Sequence, residues 1–359
     1  MIRASIVVAT YNRMEPLACL LATLARQTVP RGEYEVVVVD DGSREDVTPL
    51  AARFIPSLQM SVLRQTNSGV AVARQRGVEH ARGRIVIFLD DDMLAAEDFV
   101  AQHIAAHEGH DDRVVMGELL PDSKIRDMPL FERYHAYQLE KAAERYFSTG
   151  TFSGRDVYTG NLSLPRELFL RAGGFDPTFH IEDTELGVRL EQLGATFVFS
   201  REVATVHASD HTSLDAWLAR SVKDGRDWVH LARKHRAAPN VSPWRFFLDA
   251  NPISRVVFAT VVLAPRLAPT LARLVFYGAS RADAFGLERG MLSAMTLLYG
   301  IQYFNGVRVE TGSLGEAIED YRACKRGEAN GTRLHEPATR LESRFDRSSH
   351  RFPGAAARM

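Results

Sequence analysis

Three consecutive aspartates, Asp90-Asp91-Asp92, follow the apolar run Ile85-Val86-Ile87-Phe88-Leu89. Neighbouring carboxylates at the end of a buried strand repel one another and lose hydration, so a cation is expected among them. Magnesium and manganese take oxygen ligands and commonly bridge one or two protein carboxylates to a substrate diphosphate. The bland alternative is an acidic helix cap ahead of Met93. A second polar cluster, Asp40-Asp41-Gly42-Ser43, joins a glycine that permits a tight turn to carboxylates and a hydroxyl that could meet a base or ribose. Taken alone it reads as a turn. A third cluster, Thr10-Tyr11-Asn12, opens the chain's first polar break.

Each cluster needs an element to hold it, and the first ninety residues supply a repeating one. Short β-branched runs at 5–9, 35–39, 60–64 and 84–89 alternate with helical-period segments at 46–54 and 68–81 and with the leucine stripe Leu17, Leu20, Leu21, Leu24. That alternation predicts βαβ units and a parallel sheet. The near-continuous valine run of 35–39 fits a strand buried on both faces. All three clusters then sit at the carboxyl ends of strands, the edge where open parallel sheets bind ligands. Further elements are a helix at 97–107, strands at 114–117, 161–165 and 197–200, and a helix at 183–193 stopped by Gly194. The polar and aromatic stretch between 118 and 160 has several possible breaks and reads as a cleft wall.

The ordered set Ala9-Thr10-Tyr11-Asn12-Arg13, Val38-Val39-Asp40-Asp41-Gly42-Ser43, Asn67-Ser68-Gly69-Val70-Ala71-Val72-Ala73-Arg74 and Phe88-Leu89-Asp90-Asp91-Asp92 resembles the family 2 glycosyltransferases. The likeness continues through Thr159-Gly160-Asn161-Leu162-Ser163, Gly173-Gly174-Phe175-Asp176 and Glu182-Asp183-Thr184-Glu185-Leu186 to His207, about the first 210 residues. It implies an α/β fold of GT-A type: a Rossmann-like, mostly parallel sheet with flanking helices, plus a helical C-terminal extension. It also implies a catalytic domain over 1–212, with a nucleotide-sugar half at 1–95 and an acceptor half at 96–212. Thr10, Tyr11 and Asn12 would line the nucleoside pocket, Asp41 would bond the base, and Arg74 would help hold the nucleotide. Asp90 would contact ribose, Asp91 would belong to the nucleotide site, and Asp92 would take the metal, Mn2+ or Mg2+.

The same resemblance places the catalytic base at Asp183, with Glu182 or Glu185 as alternatives. Glu185 could instead pair with Arg189 at i,i+4 spacing. His207 resembles a histidine that completes the metal site in some members. A strand-end hydrogen bond is the alternative, and His211 is a weaker competitor. Gly160 and Asn161 would face donor or acceptor sugar. One departure is Phe179-His180-Ile181, where the family often has an aromatic residue, especially tryptophan, before the Glu-Asp pair.

These residues imply inverting transfer from a nucleotide-diphospho-sugar, with UDP the expected nucleotide, to a hydroxyl of a glycan or lipid-linked acceptor. Two rivals are a nucleotidyltransferase that makes the sugar nucleotide and a catalytically silent glycan- or nucleotide-binding subunit. Against the first, no Gly-rich, basic phosphate loop follows the first strand.

Composition bounds the rest. With 359 residues, 45% hydrophobic and 25% charged, the chain is globular. Its net charge of -1 argues against nucleic acid as a partner. Two distant cysteines and an N-terminal apolar run too short for a secretory segment point to a reducing, cytoplasmic setting. Residues 213–324 read as a helical extension. Its apolar runs, 256–264 and 291–304, are each shorter than the roughly 20 residues that span a bilayer. With Arg255, Arg266, Arg273 and Arg281, this region could lie on the cytoplasmic membrane surface, pack on the catalytic domain, or build a dimer. Residues 325–359 read as a polar, solvated tail.

Overall fold

The computed structural model describes residues 1–330 apart from 151, 237, 239 and 240. Strands β1 (Ala4–Thr10), β2 (Tyr34–Asp40), β3 (Met60–Arg64) and β4 (Ile85–Leu89) alternate with helices α1 (Met14–Leu24), α2 (Thr48–Ala52) and α3 (Val70–His80). The valines of β2, Val36 to Val39, are all fully buried, which is why that strand shows no polar alternation. Leu17, Leu20, Leu21 and Leu24 of α1 pack with Ile6, Val8, Val36 and Val38 on one face of the sheet. Ala71 and Val78 of α3 cover Val7 and Val86 on the other face.

Next come β5 (Met93–Ala95), α4 (Phe99–Ala106), β6 (Arg113–Pro121), α5 (Leu130–Thr149), β7 (Asn161–Pro165), α6 (Arg166–Arg171), α7 (Glu182–Gln192) and β8 (Thr196–His207). The eight strands form one sheet in the order β3-β2-β1-β4-β7-β6-β8-β5. β1 runs parallel to both β2 and β4, while β7 is antiparallel to β4 and β6 and β5 is antiparallel to β8. The sheet is therefore mostly parallel. Winding reverses between β1 and β4, which opens a crevice at their carboxyl ends.

The stretch expected as a cleft wall and the last strand differ from the sequence expectation. Residues 130–149 form a continuous helix that buries Phe131, Tyr134, Ala143 and Tyr146. Aromatic residues have modest helix propensity, so tertiary packing decides the matter here. β8 extends well past Ser200, because a register shift at Gly117/Leu119 lets the strand keep pairing with β6 beyond the polar Arg201-Glu202. The extension carries His207 alongside Met93 of β5, one residue from Asp92.

Beyond β8 the chain is helical: α8 (Leu214–Lys234), α9 (Arg245–Asp249), α10 (Pro252–Leu263), α11 (Ala268–Ala284), α12 (Glu288–Glu310) and α13 (Leu314–Asn330). These helices share a core of their own around Phe258, Val261, Met295, Leu298, Phe304 and Val307. No single described helix is long and apolar enough to cross a membrane. α13 continues to Asn330, so 325–330 is helical where a solvated tail was expected. Ala, Lys, Arg and Glu there are good helix formers. The remainder of the expected tail, 331–359, lies outside the described residues.

α8 and α12 cross at glycines. A Cβ on Gly225 would lie 2.0 Å from the Tyr303 carbonyl oxygen, and one on Gly306 would lie 2.1 Å from that of Val222. Gly225→Val is therefore expected to lose about 2–3 kcal/mol in chemical denaturation as the helices are forced apart. Gly278→Ala, on α11 with open space around the new methyl, should gain about 0.5–1 kcal/mol from helix propensity. Equal midpoints for the two variants would contradict this packing.

Candidate active site

The loops after β1 and β2 are laced together at the crevice. Asn12 has φ +56, alone among the described non-glycine residues in the left-handed region. That turn lets its side-chain oxygen accept from the Arg44 backbone N–H at 2.8 Å, while its own N–H donates to Ser43 Oγ at 2.8 Å. Thr10 is buried and its hydroxyl donates to Asp91 at 2.7 Å, joining β1 to β4. Tyr11 leaves its ring at the surface.

Asp41 accepts from Gln65 Nε2 and from the backbone N–H groups of Ser68 and Gly69, at 2.8, 2.8 and 2.9 Å. It thereby fixes the 65–69 loop. Gly42, at φ +83, makes room for that loop, since a Cβ would lie 2.8 Å from Asn67 N.

Two arginines answer the acidic run. Arg13 Nε lies 3.0 Å from Asp91 Oδ1, and its Nη2 lies 2.7 Å from Asp92 Oδ2 and 2.9 Å from Asp210 Oδ1. Burial pushes the Asp91 carboxyl up to about 7, against the opposing pull of Arg13 and Thr10. Burial would raise Asp92 as well, but hydrogen bonding and charge from His207, with Arg13, hold it at about 2. Asp92 in turn raises His207, against the burial that would lower it.

Arg74, expected to help hold the nucleotide, is engaged by two carboxylates. It is buried, with Nη2 donating to Asp90 at 2.6 Å and Nη1 to Glu182 at 2.6 Å. A buried guanidinium can serve two carboxylates in this way because its donors are fixed in a fork. It therefore binds the acidic strand end to the start of α7.

Asp183, in the first turn of α7, is only partly buried, and its Oδ1 accepts from the Thr184 N–H at 2.8 Å. Burial raises its pKa, with Arg74 pulling the other way. Glu182 is sealed and paired to Arg74. Glu185, expected as an alternative base, is fully buried and engaged by Arg189, by Lys234 at 2.7 Å and by His235 at 3.0 Å. The i,i+4 pair with Arg189 exists, but inside the protein.

Asn161 also departs from expectation. It is fully buried, donating to the Val203 carbonyl at 2.6 Å and lying 3.1 Å from His103 Nε2, so it ties β7 to β8 and α4. A strand residue pointing into that seam has no face left for sugar. Gly160 lies against the site instead, where a Cβ would come within 3.2 Å of Asp90 Oδ2. Phe179 packs in a small core with Val188 and Leu231. The N–H groups of His180 and Ile181 both donate to Asp227, which anchors the approach to α7.

Asp92 and His207 fit a divalent ion. His207 Nε2 lies 3.4 Å from Asp92 Oδ2, and Asp92 Oδ1 is buried with no protein hydrogen-bond partner. Among the described residues no group of three His, Cys, Asp or Glu side chains is arranged to hold a metal alone. Two protein ligands suit an ion whose remaining sites are filled by substrate phosphates and water. His211 lies further along the loop and is exposed.

A cavity of about 470 Å³ opens beside this pair, lined by Leu94, Leu119, Ile125, Met128 and Leu139. Glu132 and His135 of α5 line it too, with the His135 ring 5.9 Å from that of His207. Glu132, His135 and Asp210 stand outside any motif, so residue order alone did not mark them. Arg13 was visible within one, yet its partners lie 78 or more residues away.

A model of glycosyl transferase family 2 matches residues 5–167. The uncharacterized glycosyltransferase YfnE of Bacillus subtilis (strain 168) is 30% identical over 259 residues, 59% of this chain and 66% of that protein. A validoxylamine A glucosyltransferase of Streptomyces hygroscopicus subsp. jinggangensis is 31% identical over 285 residues, 72% of this chain and 65% of that protein. The chain thus spans just under two thirds of the length of these relatives. The structure of the mannosyltransferase PcManGT from Pyrobaculum calidifontis, in complex with GDP-Man and Mn2+, matches with a TM-score of 0.55 at 23% identity. The match covers 83% of this chain and 85% of that one, and shows a common fold.

Glu182 generates a pH test. Burial, then the charge of Asp183, push it from 4.5 up to about 7, against Arg74. Between those values the folded protein holds a proton that the unfolded chain has released, so stability falls as pH rises through the window. Glu182→Gln should flatten the pH dependence of the denaturation midpoint between 4.5 and 7. An unchanged slope would contradict the assigned environment.

Proposed function

The chain belongs to glycosyl transferase family 2, and on that premise we propose that it transfers a sugar from a nucleotide-diphospho-sugar to an acceptor hydroxyl with inversion at the anomeric carbon. The observation that carries this reading is the buried, unpartnered Oδ1 of Asp92 beside His207, at the strand ends where Thr10 and the acidic run meet. A relative named as a glucosyltransferase, and a structural neighbour holding GDP-Man and Mn2+, are in keeping with such a donor and ion. We take UDP as the nucleotide, and a glycan or lipid-linked hydroxyl as the acceptor.

The nucleoside would lie over the loops of Thr10, Tyr11 and Asn12, with Asp90 toward the ribose. The firm 65–69 loop, held by Asp41, would wall the base side. Mn2+ or Mg2+ held by Asp92 and His207 would neutralise the diphosphate and so favour its departure.

Asp183 is the proposed base. It is the least enclosed carboxylate of α7's first turn, and its raised proton affinity makes it a stronger base than an ordinary aspartate. It would take the acceptor hydroxyl's proton as that oxygen bonds to the anomeric carbon. The bond from that carbon to the phosphate oxygen breaks on the opposite face, and its electron pair leaves with the nucleoside diphosphate. Glu182 and Arg74 act through Asp183 and Asp90 as positioning residues.

A panel of nucleotide-sugars with Mn2+ or Mg2+ tests this by release of nucleoside diphosphate. Asp183→Asn should lower turnover by about 10²–10⁴-fold while donor still binds. Asp92→Asn should lose the stimulation by metal. Pyrophosphate as the product, or full metal-stimulated turnover in Asp92→Asn, would overturn the reading.

A further inference from the structure

α10 and α11 are apolar on two faces. Their inner residues Phe258, Val261, Val262, Ala268, Ala272 and Ala279 are buried in the helical core with α12. Their outer residues Ile253, Val256, Leu263, Leu274, Tyr277 and Phe285 are 63–77% exposed. A helix apolar all round is ordinarily enclosed, and a contiguous exposed apolar surface marks a place that something covers. The 112° bend between the two helices, with both resting on the core, excludes a straight spanning rod.

Charge identifies the cover. Arg266, Arg273 and Arg281 are exposed along α11 and the turn before it, while Arg255 of α10 is exposed with its guanidinium donating to the Phe247 and Leu248 carbonyls. Between Ala250 and Leu287 the sequence has a single acid, Asp283, and it is paired with Arg133 at 2.8 Å. A two-fold dimer through this face would set the patch against itself, arginine toward arginine, with no acid to answer. An anionic lipid surface meets both features: acyl chains take the apolar side chains, and headgroup phosphates take guanidinium groups carried on flexible stems.

We propose that the outer face of α10 and α11 docks in plane on an anionic phospholipid bilayer. The Arg133–Asp283 pair ties this face to α5, whose Glu132 and His135 line the cavity beside Asp92. Docking would therefore hold the cleft close to acceptors presented at the lipid surface. The docking stands on this face alone and does not require the proposed reaction.

The test is co-sedimentation of the full chain with vesicles of phosphatidylcholine, with and without phosphatidylglycerol. Binding is expected to the anionic vesicles only and should weaken in high salt. Leu274→Glu with Tyr277→Glu, and separately Arg266→Glu with Arg273→Glu, should each lower that binding by about tenfold or more. All four positions point outward, and thermal melting checks that the variants fold. Failure to bind either vesicle, equal binding to both, or undiminished binding by both folded variants would overturn the proposal. So would a dimer in solution that Leu274→Glu with Tyr277→Glu converts to monomer. Loss of lipid binding with soluble donor hydrolysis intact would separate this face from the reaction.

Discussion

Carboxylates outnumber cations at one edge of the sheet, and the rest of the site is organised around that imbalance. Asp90, Asp91, Asp92, Glu182, Asp183 and Asp210 are met by Arg13, Arg74 and His207. Charges drawn out of water need partners, and breaking such a pair leaves the other member exposed to the full loss of hydration. Arg74 solves this for Asp90 and Glu182 at once, and in doing so links β4 to α7. Arg13 does the same for the other end of the run. Asp92 Oδ1 is left over, buried without a protein hydrogen-bond partner, and it is the oxygen proposed to take a cation.

Backbone geometry serves the same edge. The parallel pairing of β1 with β2 and β4 brings Thr10, Asp40 and the acidic run to one level. The register shift in the β6–β8 pair delivers His207 to the same place from the far side of the sheet. The helices that follow add a second core, and the glycine crossing of α8 and α12 brings their backbones into contact. Asp227 of α8 then holds the N–H groups leading into α7, so the helical region also supports the carboxylate pair.

Much of this was legible from residues alone. β1 to β4 could be read because buried parallel strands are unbroken apolar runs, and each polar cluster marked a strand end. Asp92 and His207, far apart in sequence, lie 3.4 Å apart. What could not be read were partnerships across long separations: Arg74 with Glu182 joins positions 108 apart, and its buried fork looks like any helix arginine in sequence. Asn161 carried a motif position yet serves a seam between strands, because strand alternation does not say which side faces ligand. Glu185 was separable from Asp183 only once Lys234 and His235 of the next helical segment were in place. A membrane surface was one of three covers readable for this region, but which residues of α10 and α11 the helical core leaves exposed emerged only from the packing.

The most direct measurement of the central claim is calorimetric titration of the protein with UDP, with and without Mn2+. If the unpartnered oxygen of Asp92 and the imidazole of His207 await an ion that joins protein to diphosphate, UDP should bind far more tightly when Mn2+ is present. Mn2+ should likewise bind more tightly when UDP is present, because the coupling is reciprocal. UDP binding of equal strength in both conditions would contradict the claim.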